Sequence, residues 1–493
     1  MSSLKSSPIP LFKMKMQEKG MIKDIKEIIV RIEGLPTCLN GQIVNLGDDV
    51  KGIIMGFDQD DVLALALGDP RKLKMGREIT GVSEPFKIPV SDSMMGRMIT
   101  ALGEPCDNGE PIVATDHIPV FKDSMPITSR ARIDEYLPIG TKIVDIFTPI
   151  SKGQRQLILG DRMTGKTSVA IDAVVNQKGR NVTCIYCCVG KSLSALEKLV
   201  GTFNRAGALD HTLLIVATDS APVGEQYIVP FAAASIAEYL ATKGRDVLVV
   251  FDDLTKHAWS YRQLSLLLER PPGREAYPGD IFYVQTQLME RAGKFDKKVG
   301  GGSVTFLGIA ETQQGDLTGY IPSNLSSMCD GQVYLSSVIF SEGFRPAIDI
   351  TISLSIVGGR TQPQVLKKLS STLRSDFAKY NEIVKLSKLS SGLSGEAERL
   401  VRKGEVTRSV LQQGELEPSP LAANVMLLWA IEKGFLVGKD DDYKKAFVKD
   451  IYPFAEQHAQ RLIDAINETQ DLTVDVSQGL EKLMADYFAS LGG

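Results

Sequence analysis

The chain has 493 residues, which is enough for about three domains of ordinary size. Hydrophobic residues make up 43% and charged residues 24%, and this composition excludes a disordered chain, a collagen and a coiled-coil rod. Because 56 basic and 60 acidic side chains leave a net charge of only -4, we expect no nucleic-acid partner.

The N-terminal part of the chain predicts an arm followed by a small barrel. Residues 1–24 are short, basic and rich in Met, without the apolar core of a secretory signal. Residues 25–95 carry short alternating runs that Gly, Asn and Asp separate. This pattern is typical of a small antiparallel β-barrel.

Residues 96–370 predict a parallel sheet covered by helices on both faces, because apolar runs alternate with helical stretches. One apolar run holds Cys184, Cys187 and Cys188, which we interpret as a buried, reduced strand rather than a metal cluster. Residues 371–493 predict a helical bundle. The predicted strands are 155–159, 183–189, 213–217, 247–251 and 281–284, and the predicted C-terminal helices include 366–385 and 455–468.

One motif carries specific chemistry. An apolar strand runs into Gly160-Asp161-Arg162-Met163-Thr164-Gly165-Lys166-Thr167, and a helix from Ser168 to Gln177 follows. This is the pattern of a phosphate-binding loop, in which backbone N–H groups and a helix N-terminus hold phosphate oxygens. We expect Lys166 to reach the β- and γ-phosphates of ATP or ADP, and Thr167 to ligate Mg²⁺.

A second strand supports this interpretation. The run over residues 247–251 ends in Asp252 and Asp253. A carboxylate at the end of such a strand can complete a magnesium site, so we predict Asp252 as the partner of Thr167.

Further motifs accompany the phosphate-binding loop. They are Asp252-Asp253-Leu254, Tyr261-Arg262-Gln263, the stretch from Arg270 to Asp280, Tyr320-Ile321-Pro322-Ser323-Asn324, the stretch from Arg345 to Asp349, Ser353-Leu354-Ser355, Gly153-Gln154-Arg155 and Asn176-Gln177-Lys178. With these motifs the sequence resembles the alpha and beta subunits of rotary F-type ATPases, and the surroundings of the phosphate-binding loop resemble the alpha subunit. The resemblance covers roughly residues 25–440. It implies a RecA-like α/β P-loop NTPase core between an N-terminal β-barrel and a C-terminal α-helical bundle.

The resemblance also implies a setting for the chain. It would alternate with beta subunits in a hexameric ring, around a central gamma stalk, and couple ATP to ion transport through a membrane sector. The ion would be H⁺ or Na⁺, with H⁺ expected. Contact with the peripheral stalk and its delta subunit is in question, since residues 1–24 do not resemble the family's arm. The protein would lie on the cytoplasmic face of a bacterial plasma membrane.

One departure from the family's pattern indicates that the nucleotide site of this chain is non-catalytic. The family's beta subunits carry a Gly-Glu-Arg whose Glu orients the attacking water, and its alpha subunits carry Gln at the Glu position. Here the stretch is Val189-Gly190-Lys191-Ser192. Because a lysine cannot act as that carboxylate, we expect little hydrolysis here, with Lys191 either pairing with phosphate or pointing into solvent.

The resemblance places Phe340 and Arg345 near the adenine, although Phe340 could equally be a core residue. Gln413-Gly414-Glu415 resembles the family's Gln-Gly-Gln. Because Glu415 stands in place of the second Gln, the contact that this residue makes near the adenine is altered. Met163 replaces a Gln that is usual in the alpha loop, which removes one polar contact.

The sharpest departure from the family's pattern lies at the position where an alpha subunit contributes an arginine to the neighbouring beta site. Ile356 stands at that position. Such an arginine accelerates ATP hydrolysis about 10³–10⁵-fold, which corresponds to roughly 4–7 kcal/mol of transition-state stabilisation. Either Arg360 reaches the γ-phosphate after the loop is remodelled, or the complex hydrolyses or makes ATP slowly, or this copy of the subunit belongs to a specialised complex. We favour the interpretation that Arg360 is a solvated loop residue. Ser327 matches a family position beside the shared site.

Three other classes stay open as alternatives. A self-sufficient hexameric ATPase of an export apparatus would need a carboxylate in place of Lys191. A nucleotide-independent subunit like that of vacuolar-type ATPases would not need the intact Lys166 and Thr167. An RNA-directed hexameric helicase would need an aromatic stacking surface, but residues 25–95 contain only Phe57 and Phe86 as aromatics.

Overall fold

A computed structural model describes residues 18–48, 50–58, 61–387 and 395–491. Most of the predicted N-terminal arm, residues 1–17, lies outside these ranges. The first strand begins at Lys19, so the last part of the segment assigned to the arm belongs to the barrel.

The N-terminal strands close into the predicted barrel. Neighbouring strands are antiparallel, in the order β1-β2-β5-β4-β3-β6. Alternating apolar residues such as Val30, Ile32 and Val44 fill the interior, as the period of two requires. The strands are β1 (Lys19–Lys26), β2 (Ile29–Gly34), β3 (Gln42–Gly47), β4 (Val50–Asp58), β5 (Asp61–Leu67) and β6 (Glu78–Pro85).

The central part is a mainly parallel sheet flanked by helices. The strands of this part are β7 (Lys87–Val90), β8 (Met98–Thr100), β9 (Asp116–Pro119), β10 (Tyr136–Leu137), β11 (Ile150–Ser151), β12 (Arg155–Gly160), β13 (Val182–Lys191), β14 (Thr212–Thr218), β15 (Asp246–Asp252), β16 (Gly293–Lys294), β17 (Ser303–Glu311), β18 (Gly331–Leu335) and β19 (Leu354–Ser355). Of these, β7 pairs with β9 and β10 pairs with β11 in two separate two-stranded sheets. Its helices are α1 (Lys142–Phe147), α2 (Lys166–Val175), α3 (Leu193–Ala206), α4 (Val223–Thr242), α5 (Leu254–Leu267), α6 (Ile281–Met289), α7 (Tyr320–Met328), α8 (Ser337–Ser341) and α9 (Gly358–Thr361).

The order of strands in the main sheet places the phosphate-binding loop and the acids after β15 at the same end of the sheet. The order is β19-β18-β12-β17-β15-β13-β14-β8, with β16 pairing on β17. The strands β18, β12, β17, β15, β13, β14 and β8 are parallel, so the loop after β12 and the acids after β15 lie at the same end. Cys184, Cys187 and Cys188 are buried in β13, between β14 and β15.

One predicted strand is wrong. Residues 281–284 begin helix α6, and the apolar side chains of Ile281, Val284 and Leu288 are buried on one face of it. Their spacing is that of a helix, but a run of four apolar residues does not distinguish the two structures.

The C-terminal part is the predicted helical bundle. Two predicted helices are each split: 366–385 by a break at Ser371 and Thr372, and 455–468 by one at Ala459. No helix in the described ranges is long and apolar enough to cross a membrane. The helices are α10 (Gln364–Ser370), α11 (Leu373–Ser387), α12 (Gly395–Leu411), α13 (Leu421–Glu432), α14 (Asp441–His458), α15 (Gln460–Thr469) and α16 (Val474–Leu491).

A buried ion pair ties α4 to the segment after α6. Both oxygens of Glu238 accept hydrogen bonds from Arg291, at 3.1 and 2.7 Å, and Lys122 lies 2.6 Å from the same carboxylate. The Glu238 and Arg291 side chains are each only 1% exposed. Arg291 also donates to the carbonyl oxygens of Val120 and Phe231, so its charge is held by the surrounding backbone.

Removing the acid should destabilise this part of the protein. We expect Glu238→Ala to cost about 3–5 kcal/mol, because it leaves the Arg291 charge buried and unpaired. The measurement is urea unfolding of the full chain, with Glu398→Ala as the matched control, since Glu398 pairs with Arg402 on the exposed face of α12. The control should change the stability by less than about 1 kcal/mol. Equal unfolding midpoints for the two variants would contradict this account.

Candidate functional site

The phosphate-binding loop has the backbone that its glycines permit. A Cβ on Gly160 would lie 2.6 Å from the carbonyl oxygen of Leu335, and Gly165 has a φ of +96°. Met163 also lies in the left-handed region, with a φ of +62°, and its side chain is 90% exposed at the tip of the loop. Helix α2 starts at Lys166, so the first turn of a helix follows the loop directly.

The loop is held by hydrogen bonds within itself and to the end of β17. Lys166 Nζ donates to the carbonyl oxygens of Gly160 and Asp161 at 2.8 and 2.6 Å. The Asp161 carboxylate accepts from Thr312 Oγ1 at 2.7 Å and from the Gly315 N–H at 2.9 Å. Burial lowers the pKa of Lys166. The predicted loop residues therefore lie together as one structured turn.

The predicted magnesium ligands are neighbours. Thr167 Oγ1 donates to Asp252 Oδ2 at 3.2 Å. A hydroxyl and a carboxylate are oxygen ligands that Mg²⁺ accepts, so in donor type the pair fits this cation. However, the same Asp252 oxygen lies 2.8 Å from Lys191 Nζ, which is a competing cation.

Lys191 does not point into solvent, so that expectation is wrong, whereas its pairing with phosphate stays a prediction. Its side chain is 18% exposed and pairs with Asp252. Burial by itself lowers the pKa of Lys191, but the charge and hydrogen bond of Asp252 outweigh it, so the pKa is raised. The lysine is therefore positively charged at neutral pH, and no carboxylate occupies this position to activate water.

Glu415 reaches the phosphate-binding loop from the bundle side. Its Oε1 accepts a hydrogen bond from Ser168 Oγ at 2.7 Å, in the first turn of α2. Next to this contact is a cavity of about 390 Å³, which is within the usual size of ligand pockets. The polar and charged residues that line it include Thr167, Ser168, Lys191, Lys198, Arg205 and Glu415.

The three other residues predicted near the adenine also lie together. The Arg345 guanidinium carbon is 3.4 Å from the centre of the Phe340 ring, and the Gln413 N–H donates to the Arg345 carbonyl at 3.0 Å. The Gln413 side chain bonds to backbone groups of Gly140, Lys142 and Glu417. The Gln413 amide thus joins the start of α1 to the bundle. Phe340 is half-buried and packs against Arg345.

The loop expected to face a neighbouring subunit carries an exposed isoleucine. Ile356 is 67% exposed, and its N–H donates to the carbonyl of Asp330 at 2.9 Å, just beyond α7. Ser327, near the end of α7, is exposed and donates to the carbonyl of Asn324. Arg360 is exposed in α9.

This loop is fixed at both ends of its turn. Ser355 Oγ donates to the Pro149 carbonyl at 2.7 Å, and a Cβ on Gly358 would lie 1.6 Å from that oxygen. The backbone therefore cannot move toward residue 149, and remodelling that would bring Arg360 into the place of Ile356 must break these contacts.

Sequence reasoning missed two residues of this site. Tyr186 donates to Asp252 Oδ2 at 2.7 Å, and Lys256 Nζ donates to the Gly190 carbonyl at 2.7 Å. A phenol in the middle of an apolar strand was a usable signal, because a buried tyrosine hydroxyl usually has a hydrogen-bond partner. Lys256 gave no such signal, since a lysine in the first turn of a helix is ordinarily solvated.

Comparison with known proteins assigns all three parts of the chain to one family. Residues 15–82 match the beta-barrel domain of the ATP synthase alpha/beta family, residues 140–355 its nucleotide-binding domain, and residues 362–487 the C terminal domain of the ATP synthase alpha/beta chain. The chain therefore belongs to the ATP synthase alpha/beta family.

Within that family, three similar relatives are ATP synthase alpha subunits. The chain is 41% identical to ATP synthase subunit alpha of Clostridium acetobutylicum over 477 residues, which cover 96% of this chain and 94% of the relative. It is 39% identical to the subunit alpha of Clostridium botulinum strain Eklund 17B, again with 96% and 94% covered. For the subunit of strain Hall the values are 38%, 95% and 93%.

Asp172 makes the segment beside Glu415 sensitive to pH. The carboxylate of Asp172, in α2, accepts a hydrogen bond from the Leu416 N–H at 2.8 Å. Burial, aided by the charges of Glu415 and Glu417, raises the pKa of Asp172 to about 7. The folded protein thus holds a proton here at a pH where the unfolded chain has lost it.

The expected consequence is a loss of stability as the pH rises from about 4 to about 7. In this window Asp172→Asn should gain stability relative to the natural chain, by up to about 1.4 kcal/mol per pH unit. The measurement is urea unfolding of both proteins at several pH values, with the exposed Asp210→Asn as control. A constant difference between the Asp172→Asn and natural chains across this window would refute the prediction.

Proposed function

We propose that this chain is the nucleotide-binding, non-catalytic alpha subunit of an F-type ATP synthase or ATPase. The observation that carries the proposal is the Lys191 ammonium paired with Asp252 at 2.8 Å, beside an intact phosphate-binding loop. Lys166 and the start of α2 are suited to bind the phosphates of ATP or ADP. No carboxylate is present at residue 191 to orient water, so bound nucleotide is hydrolysed slowly or not at all.

In this proposal Thr167 and Asp252 remain the ligands of a Mg²⁺ ion on the nucleotide, with Lys191 competing for the same carboxylate. Phe340, Arg345, Gln413 and Glu415 form the adenine side of the proposed nucleotide site. Thr167 and Asp252 would hold this Mg²⁺, which would supply positive charge to the phosphate oxygens when it is bound.

The assembly follows from the alpha-type character of the chain. It alternates with beta subunits in a hexamer around a gamma stalk, and the complex couples ATP synthesis or hydrolysis to ion transport, with H⁺ as the expected ion. The protein is then peripheral to a bacterial plasma membrane on its cytoplasmic side. Ser327 and the loop from Ser355 to Arg360 face the neighbouring beta site. The domain limits at residues 95 and 370 belong to this proposal, although α10 already packs on α13 of the bundle.

The composition of the complex distinguishes the proposal from a self-sufficient export ATPase. A complex isolated through a tag on this chain should contain a beta-type partner in equal amount. Homohexamers of this chain alone that hydrolyse ATP rapidly would favour the export-type alternative.

The exposed Ile356 yields a direct test of activity. In the isolated complex we expect slow ATP turnover, and Ile356→Arg should raise it by about 10³–10⁵, because an arginine at this position stabilises the transition-state charge at the beta site. The loop should accept the change, since Ser355 and Gly358 hold it through contacts that do not involve the Ile356 side chain. The measurement is steady-state ATP hydrolysis.

The matched control is Ile352→Arg, which adds the same charge at a nearby residue that is 37% exposed. It should leave turnover unchanged. If the natural complex is already fast and Ile356→Arg does not raise its rate, another group supplies this charge. Arg360→Ala would then lower the rate.

A further inference from the structure

One oxygen of Asp252 accepts hydrogen bonds from three side chains. Its Oδ2 lies 2.7 Å from the Tyr186 hydroxyl, 3.2 Å from Thr167 Oγ1 and 2.8 Å from Lys191 Nζ. Of these three donors only Lys191 is charged. The acid at the end of β15 is therefore already neutralised by a cation that belongs to the chain.

An irregularity in β13 sets the direction of Lys191. In a regular strand Tyr186 and Lys191 would point to opposite faces of the sheet. The pairing of β13 with β14 shifts register between Val189 and Lys191, and the intervening Gly190 has a φ of +59°. Such a bulge re-aims the next side chain, here toward the face of Tyr186. The hydrogen bond from Lys256 to the Gly190 carbonyl holds the bulge in place.

The ion pair is largely removed from water. The Asp252 side chain is 2% exposed and that of Lys191 is 18% exposed. Charges in such surroundings are weakly screened by salt. Separating the pair would leave Asp252 buried without its counter-charge, which is costly. Lys191 therefore remains near Asp252, at the wall of the cavity that it shares with Thr167 and Ser168.

This arrangement changes what a divalent cation contributes. At a phosphate-binding loop, Mg²⁺ neutralises the acid at the strand end and the charge of the phosphates together. Lys191 already neutralises the acid, and its positive charge repels a second cation bound next to it. Lys166, held at the Gly160 carbonyl, and Lys191, held at Asp252, would offer bound phosphates two fixed positive charges, one from the loop and one from β13.

We propose that Lys191 serves as a fixed cation of this nucleotide site, so that ATP and ADP bind with little dependence on Mg²⁺. The inference rests on the proposed function, because it requires the loop at Gly160–Thr167 to hold a nucleotide. It goes further by giving Lys191 a role of its own in retaining nucleotide when Mg²⁺ is scarce.

The test is ATP binding by the purified full chain, measured by equilibrium dialysis in excess Mg²⁺ and in excess EDTA. For the natural chain the dissociation constant should change less than about threefold between the two conditions. For Lys191→Gln the constant in EDTA should be about tenfold or more above that in Mg²⁺, and tenfold corresponds to about 1.4 kcal/mol. Lys191→Arg keeps the charge and should behave like the natural chain.

Lys198→Gln is the matched control. It removes a positive charge from the same cavity, at an exposed residue of α3. It should weaken binding equally in both conditions, leaving the ratio of the two constants unchanged. If the natural chain and Lys191→Gln have the same ratio, the role of Lys191 is refuted while the nucleotide site stands. If the natural chain binds ATP in neither condition, the proposed function itself fails.

Discussion

The pairing of Lys191 with Asp252 is the interaction on which the chemistry of this chain depends. A lysine and a buried acid meet at the end of a parallel sheet, at 2.8 Å, where the side chains of the phosphate-binding loop also converge. In the proposed function this one residue has two consequences. Residue 191 offers no carboxylate to activate water, and its ammonium places a positive charge beside the phosphates of a bound nucleotide.

The rest of the site is consistent with binding rather than turnover. The loop from Gly160 to Thr167 is held by Lys166, Thr312 and Gly315, so its backbone is shaped before any ligand arrives. The exposed loop at Ile356 is equally well fixed, but it presents an apolar side chain. In the proposed function, the chain retains a nucleotide at its own site and lends the neighbouring site no charge from residue 356.

The barrel, the parallel sheet, the phosphate-binding loop and the approach of Thr167 to Asp252 could be predicted from sequence, but the contact of Lys191 with Asp252 could not. The loop between β12 and α2 follows from its own residues, because glycines, a strand and a helix are adjacent in the chain. The contact of Lys191 with Asp252 requires that β13 lie beside β15 and that Gly190 form a bulge. Neither is visible in the sequence. The error at residues 281–284 has a related cause, since a short apolar run suits a buried helix as well as a strand.

The most direct measurement of the central claim is the fate of ATP bound to this chain alone. The purified full chain is loaded with ATP labelled at the γ-phosphate, in the presence of Mg²⁺, and the release of labelled phosphate is followed with time. We predict that the label stays in bound ATP long after a typical enzyme, at about 10 s⁻¹, would have hydrolysed it. Release approaching that rate would show a working catalytic site and contradict the account.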